Sequence, residues 1–261
     1  PFLLNSTLRY YLKELNTVNS NKILKNMYVD NLIIEANDVN NALEIYWEAK
    51  ETFQKMSMNL REWTSNSIIC NTGIPKDDGV NNNTQSVLGI QWNNDTDILS
   101  IPIILPTSNI LSKRFISKSV ASTFDPLGMV SPVLLKGKLF LQKLWSKNLS
   151  WDEILPEDLC NDWLKIIKEW DNNCKISIPR LILYNKSDDI KYFLICFVDA
   201  SKDAYAATVY LKSVNSYCSQ VNLVFSKSRL APLKSITLPR LELLALFIGH
   251  KILCFVEKEL S

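Results

Sequence analysis

The 261-residue chain is 47% hydrophobic and 21% charged, with a formal net charge of +2, enough apolar side chain for a sizeable core divided between two units. No apolar run reaches the roughly 18 residues that a membrane-spanning helix needs, and no signal-peptide pattern opens the chain. With one histidine and six scattered cysteines lacking any C-x-x-C pair, a Cys/His zinc site is not expected, and the cysteines read as reduced core residues of an intracellular, cytoplasmic protein.

In chain order, residues 5–24 read as a helix, with Leu8, Tyr11, Leu12 and Leu15 at helical spacing. The stretch "KNMYVDNLIIEA" then places Asp30 inside a strand-like apolar run, where an unpaired carboxylate is costly. Asp30-Asn31 suits a two-residue hairpin turn, and a metal-holding carboxylate is the other reading; the stretch alone leaves both open. A second helix starts at the N-cap Asp38 and carries Ala42, Ile45, Tyr46, Ala49 and Phe53 on one side. Strand-like "NLREWTSNSIIC", a polar loop over 75–85 and strand-like "VLGIQW" complete an α+β subdomain.

Residues 107–171 read as mainly helical. "VLLKGKLFLQKLWSKN" is amphipathic, "FDPLGMVSP" is a Pro/Gly corner, and "LPEDLCNDWLKIIKEW" carries an apolar stripe through Leu159, Trp163, Ile166, Ile167 and Trp170. From Ile178 the pattern changes to strands, "KYFLICFVDAS", "AYAATVYLK" and "QVNLVFSK", followed by the helix "LPRLELLALFIGHKILCFVEKEL". Because its first strand is apolar throughout, this part is expected to be a mixed sheet with that strand buried on both faces.

Charge is distributed unevenly. Residues 1–106 carry 8 Lys/Arg against 12 Asp/Glu, residues 107–150 carry 7 against Asp125 alone, and residues 151–261 carry 14 of each. A basic block between more acidic segments suits an element lying along a phosphate backbone, with Lys113, Arg114, Lys136 and Lys143 as candidate contacts. A solvated helix surface has the same composition.

Two further carboxylates stand out. Asp199 ends the most apolar strand, where it is expected to be shielded from bulk water yet able to reach a hard cation. Glu242 falls in the first turn or so of the last helix, where it also serves as an ordinary helix starter.

Taken together and in order, "FDPLGMVSPVLLKGKLFLQKLW", "WDEILPEDLCNDW", "FVDASKDAYAATVYL" and "SKSRLAPLKSITLPRLELLAL" resemble the Pol polyprotein of Bel/Pao-type LTR retrotransposons, a region also labelled the Pao retrotransposon peptidase family. The peptidase label finds no Asp-Thr/Ser-Gly motif: the nearest strings are Asp95-Thr96-Asp97 and Asn71-Thr72-Gly73.

The resemblance implies three parts. Residues 1–106 correspond to the C-terminal part of a reverse transcriptase palm, 107–175 to a helical thumb or connection, and 176–261 to the N-terminal half of an RNase H-like domain. "YVDN" sits at the polymerase box, usually Y-V-D-D, so Asp30 matches a Mg²⁺ ligand, Asn31 replaces the second Asp with a weaker neutral oxygen, and Tyr28 packs beside the primer end. Asp199 and Glu242 match two of the RNase H carboxylates, and Lys227 and Arg229 lie where phosphates would pass. The remaining carboxylates of both sites are expected outside this stretch, and an opening "PFLLNSTLRYYL" without Met suggests a piece of a longer protein. The implied partners are an RNA/DNA template-primer duplex and the remainder of Pol, and the implied cofactor is Mg²⁺. The implied activity is RNA-directed DNA synthesis with a fused ribonuclease H; a catalytically inactive remnant that binds nucleic acid is the alternative.

Overall fold

The computed structural model describes residues 2–29, 31–108, 110–170, 175–182, 189–234 and 236–260. They fall into two compact units, residues 1–85 with 93–97 and residues 86–92 with 98–261.

The first unit opens with α1 (Phe2–Leu15) and α2 (Val18–Asn26) rather than one continuous helix. Asn16 takes a left-handed φ of 43°, and Thr17 restarts the helix: its hydroxyl accepts from the Ser20 amide at 3.0 Å, and the Ser20 hydroxyl accepts from the Thr17 amide at 2.8 Å. This reciprocal cap overrides the continuous apolar spacing. A short hairpin follows, β1 (Met27–Tyr28) against β2 (Asn31–Leu32), pairing Tyr28 with Asn31. The expected Asp30-Asn31 turn is therefore displaced: Asn31 is a ladder residue, and Val29 adopts a φ of 55°. Asp30 itself lies outside the described residues.

Helix α3 (Val39–Lys55) begins at the expected cap, the Asp38 carboxylate accepting from the Asn41 amide at 2.9 Å. Its Ala49 and Phe53 bury with Leu8, Leu12, Ile23 and Met27, while Tyr46 packs with Cys70 and Ile74. Lys50 and the Tyr46 hydroxyl (2.7 Å) both donate to Asp78. Led by the Lys50 hydrogen bond, these donors hold the Asp78 carboxyl below its usual range, and burial together with Asp78 pushes the Tyr46 hydroxyl up to about 12. "NLREWTSNSIIC" is not a strand. Its second half enters the short helix α4 (Ile68–Gly73), capped by Ser67, so local capping wins over the β-propensity of Ile68 and Ile69.

β3 (Thr84–Val87), β4 (Ile90–Asn93), β5 (Ile98–Pro102) and β6 (Lys175–Pro179), most of whose residues belong to the second unit, form one sheet in that order. "VLGIQW" is a hairpin rather than a single strand, because Leu88 and Gly89 both take positive φ, 49° and 85°. Three helices lie between β5 and β6: α5 (Lys113–Ala121), α6 (Ser131–Trp145) and α7 (Glu157–Lys168). They enclose the larger core, in which Ile101, Ile116, Val130, Leu134, Leu144, Leu159 and Trp163 are buried.

The last layer is β7 (Lys191–Ala200), β8 (Ala204–Val214) and β9 (Ser219–Leu230), followed by α8 (Leu238–Leu260). Among the described residues this sheet is wholly antiparallel, with β7 at one edge, rather than mixed. The expectation that β7 is buried on both faces is corrected as well. Helix α8 packs with Leu194, Cys196, Ala207 and Val209 on one face, and alternation turns Phe193 and Phe197 to the other, where they are 50% and 61% exposed.

One backbone approach joins the helices to this sheet. The "FDPLG" corner turns into α6, with the Asp125 carboxylate accepting from the Met129 and Val130 amides at 2.8 and 2.9 Å. At its apex the Leu127 carbonyl accepts from the Ser226 amide of β9 at 2.8 Å. Gly128 has φ +76°, and any Cβ there would lie 2.6 Å from the Ser226 carbonyl carbon. Both the conformation and the space demand glycine. Gly128→Ala is expected to cost roughly 2–5 kcal/mol in chemical denaturation, combining left-handed strain with overpacking against main chain. A loss under about 1 kcal/mol would show that the corner and β9 can separate without consequence.

Candidate nucleic-acid interface and carboxylate pair

Asp199 is the penultimate residue of β7 and stands opposite Ala206 of β8. It is exposed, so the expected shielding from water is absent: β7 pairs with β8 alone among the described residues. The neighbouring Val198 and Cys196 lie under α8 at Gly249, where an added Cβ would come within 3.2 Å of the Cys196 Sγ and 3.4 Å of the Ala207 Cβ. Glycine here lets the helix settle directly on β7 and β8.

Glu242 precedes Gly249 by seven residues, about two turns, and so leaves α8 on nearly the same side. It is exposed nonetheless and is the fifth residue of α8, starting the second turn rather than sitting in the first. Asp199 and Glu242 thus stand on a strand and a helix in direct contact, both open to solvent.

Their hard oxygen donors suit Mg²⁺, which takes few protein carboxylates and keeps several waters. Among the described residues no three or more His, Cys, Asp or Glu side chains gather closely enough to hold a metal. In the first unit the structure brings Tyr28, 62% exposed, opposite Asn31 as a cross-strand pair.

The expected phosphate contacts divide into three groups. Lys113 is buried at 6% exposure, its ammonium donating to the Leu149 carbonyl at 3.2 Å and lying 4.4 Å from the Trp145 ring centroid and 5.7 Å from that of Trp151. It is a packed cation facing inward, not a surface contact. Arg114, Lys136 and Lys143 are on the surface, and each has an acidic partner. Arg114 donates to both Asp152 oxygens at 2.6 and 2.9 Å, Lys136 pairs with Glu169, and Lys143 pairs with Asp162 at 2.8 Å. The Arg114 hydrogen bond holds the Asp152 carboxyl below its ordinary range, and the Lys143 hydrogen bond does the same for Asp162. Lys227 and Arg229 are exposed on β9, paired with Ala207 and Tyr205, and therefore project on the α8 side of the sheet.

Sequence reasoning missed the Trp145–Trp151 cage and the acidic partners of the basic block. The signal was present in "WDEILPEDLCNDW", whose acidic residues follow the basic block closely enough in sequence to fold back on it.

A scan against protein-family models matches residues 112–261 to the Pao retrotransposon-like RNaseH-like domain. The chain belongs to this family. A search of curated proteins finds no match. The match takes in α5–α7 as well as β7–β9 and α8, so the Pao-type RNase H-like region here includes the helical layer and the sheet it packs on. Among the described residues no helix is long and apolar enough to cross a membrane.

The two kinds of lysine are expected to differ sharply on substitution. Lys113→Ala removes a buried ammonium from between two indoles and is expected to destabilise the fold by roughly 2 kcal/mol. Lys136→Met and Lys143→Met, which break solvent-exposed pairs, are expected to leave thermal unfolding essentially unchanged. Equal effects from all three substitutions would contradict the assignment of Lys113 to the interior.

Proposed function

We propose that this chain is part of a Pao-type retrotransposon Pol protein in which an RNA-directed DNA polymerase is joined to a ribonuclease H acting on RNA·DNA hybrid. The observation that carries the reading is that Asp199 and Glu242, on the packed pair β7 and α8, are both exposed within the residues matched to an RNase H-like domain. On this reading residues 1–106 are the end of a reverse transcriptase palm, residues 107–175 a thumb or connection segment, and residues 176–261 part of the nuclease. The β1–β2 hairpin at "YVDN" supports the palm assignment, with Asp30 as metal ligand, Asn31 as a weaker one, and Tyr28 beside the primer end.

The proposed partners are the template-primer duplex and the rest of Pol, and the proposed setting is the cytoplasm. Mg²⁺, when bound, would polarise the scissile phosphate and favour attack by a water molecule or hydroxyl. The residues of this chain supply the rest. Asp199 of β7 and Glu242 of α8 would supply the carboxylates that hold the ion, while Lys227 and Arg229 would draw the backbone of the hybrid towards the α8 side of the sheet.

The test is cleavage of the RNA strand of an RNA·DNA hybrid by the longer Pol protein that this reading implies. Asp199→Asn and Glu242→Gln should each lower cleavage on the order of 100-fold or more while hybrid affinity is maintained. Full cleavage by both variants would remove the carboxylates from the nuclease site. With Asn31 where the second Asp of the polymerase box would stand, this chain by itself is expected to synthesise no DNA on a primed template with Mg²⁺.

A further inference from the structure

The side of α6 facing away from the ion pairs borders a groove that the proposed catalytic sites do not use. Lys138, Leu141, Gln142 and Trp145 of α6 form one wall, and Leu230 of β9 with Leu233 beyond it forms the other. The Gln142 amide donates to the Ala231 carbonyl at 2.7 Å and fastens the two walls together. At about 290 Å³ the groove is at the small end of the range for ligand sites.

We infer that this groove binds single-stranded nucleic acid, one base resting against Trp145 and the adjoining phosphates meeting Lys138 and nearby cations; the inference rests on the nucleic-acid reading above and extends it. Trp145 is 53% exposed yet fixed in place, edge-on to Trp151 at 5.2 Å and 4.4 Å from the buried Lys113 ammonium. A rigid exposed indole forfeits little side-chain freedom on binding, and stacking on any base is sequence-tolerant.

Charge selects the occupant. Lys136 and Lys143 turn to carboxylates of the α7 region, whereas Lys138 lines the groove, exposed Lys147 and Lys234 follow Trp145 and Leu233 in the chain, and no carboxylate lines the groove among the described residues. An apolar slot with a cationic border fits a base and its phosphates better than it fits an apolar or acid-bearing peptide. Its size suits one planar base at a time and not the width of a duplex.

The test uses the full chain and two fluorescein-labelled probes, a single-stranded oligothymidylate and an RNA·DNA hybrid of equal length. Lys138→Glu and Leu233→Glu should weaken single-strand binding about ten-fold or more, with unchanged unfolding midpoints, while Lys168→Glu on α7 leaves it intact. Trp145→Phe, which keeps a ring over Lys113, should give a smaller loss in the same direction and serves if a charge reversal fails to fold. Undiminished single-strand binding by these variants would overturn the groove and leave the nucleic-acid reading standing. Absence of binding to either probe by the unaltered chain would overturn both. Stronger binding of the hybrid, lost in the same variants, would overturn the single-strand occupant.

Discussion

The second unit depends on the approach of two backbones at Gly128 and Ser226. The Leu127 carbonyl takes the Ser226 amide of β9, and the absence of a side chain at Gly128 lets the corner lie against the strand. Because the Asp125 carboxylate ties the same corner to the first amides of α6, the direction of that helix is set by where it meets the sheet. Leu223 of β9 packs on the core that holds Val130, Leu134 and Trp163, so apolar burial reinforces a contact begun by main-chain hydrogen bonding.

This junction also shapes the surfaces that bear on function. It sets α6 along β9 and so creates the groove between Trp145 and Leu233, while the opposite flank of α6 is occupied by pairs with Asp162 and Glu169. On the far side of the sheet, α8 rests on β7 and β8 at Gly249, where Cys196, Val198 and Ala207 lie beneath it. Glu242 leaves α8 into solvent on nearly the side of Gly249, while Asp199 alternates with Phe193 and Phe197 to the opposite face of β7. The two faces of one sheet thus carry different chemistry: packed helices and an aromatic slot beside β9 on one, to which Asp199 also alternates with Phe197, and Glu242 with Lys227 and Arg229 on the side that α8 partly covers.

Much of this was legible in the residues. Periodicity located α3, α6, α7 and α8, and three apolar runs located β7, β8 and β9, because each of those signals is local and long. The breaks were less visible. Asn16 and Thr17 divide the first helix, Leu88 and Gly89 fold "VLGIQW" into a hairpin, and Ser67 turns a β-prone run into α4; in each, one or two residues with special backbone or capping chemistry outweigh the pattern around them. The pairing of β5 with β6 joins distant segments and leaves no local trace. As for the site, residue types at Asp199 and Glu242 pointed to the carboxylates, but the exposure of Asp199 followed from the edge position of β7, which apolarity alone misjudged. The inward turn of Lys113 needed Trp145 and Trp151 in place, since composition cannot distinguish a caged lysine from a solvated one.

The central claim is that the helices and the sheet of the second unit fold as one body through the Gly128 junction. Native-state hydrogen exchange on the full chain tests it most directly, comparing the amides of Ser226, of the α6 interior around Leu134 and Phe140, and of the β8 centre around Val209. The account predicts that all three open together, with one common free energy and one common dependence on denaturant. Fast exchange at Ser226, with α6 and β8 opening in separate steps of different denaturant dependence, would contradict it.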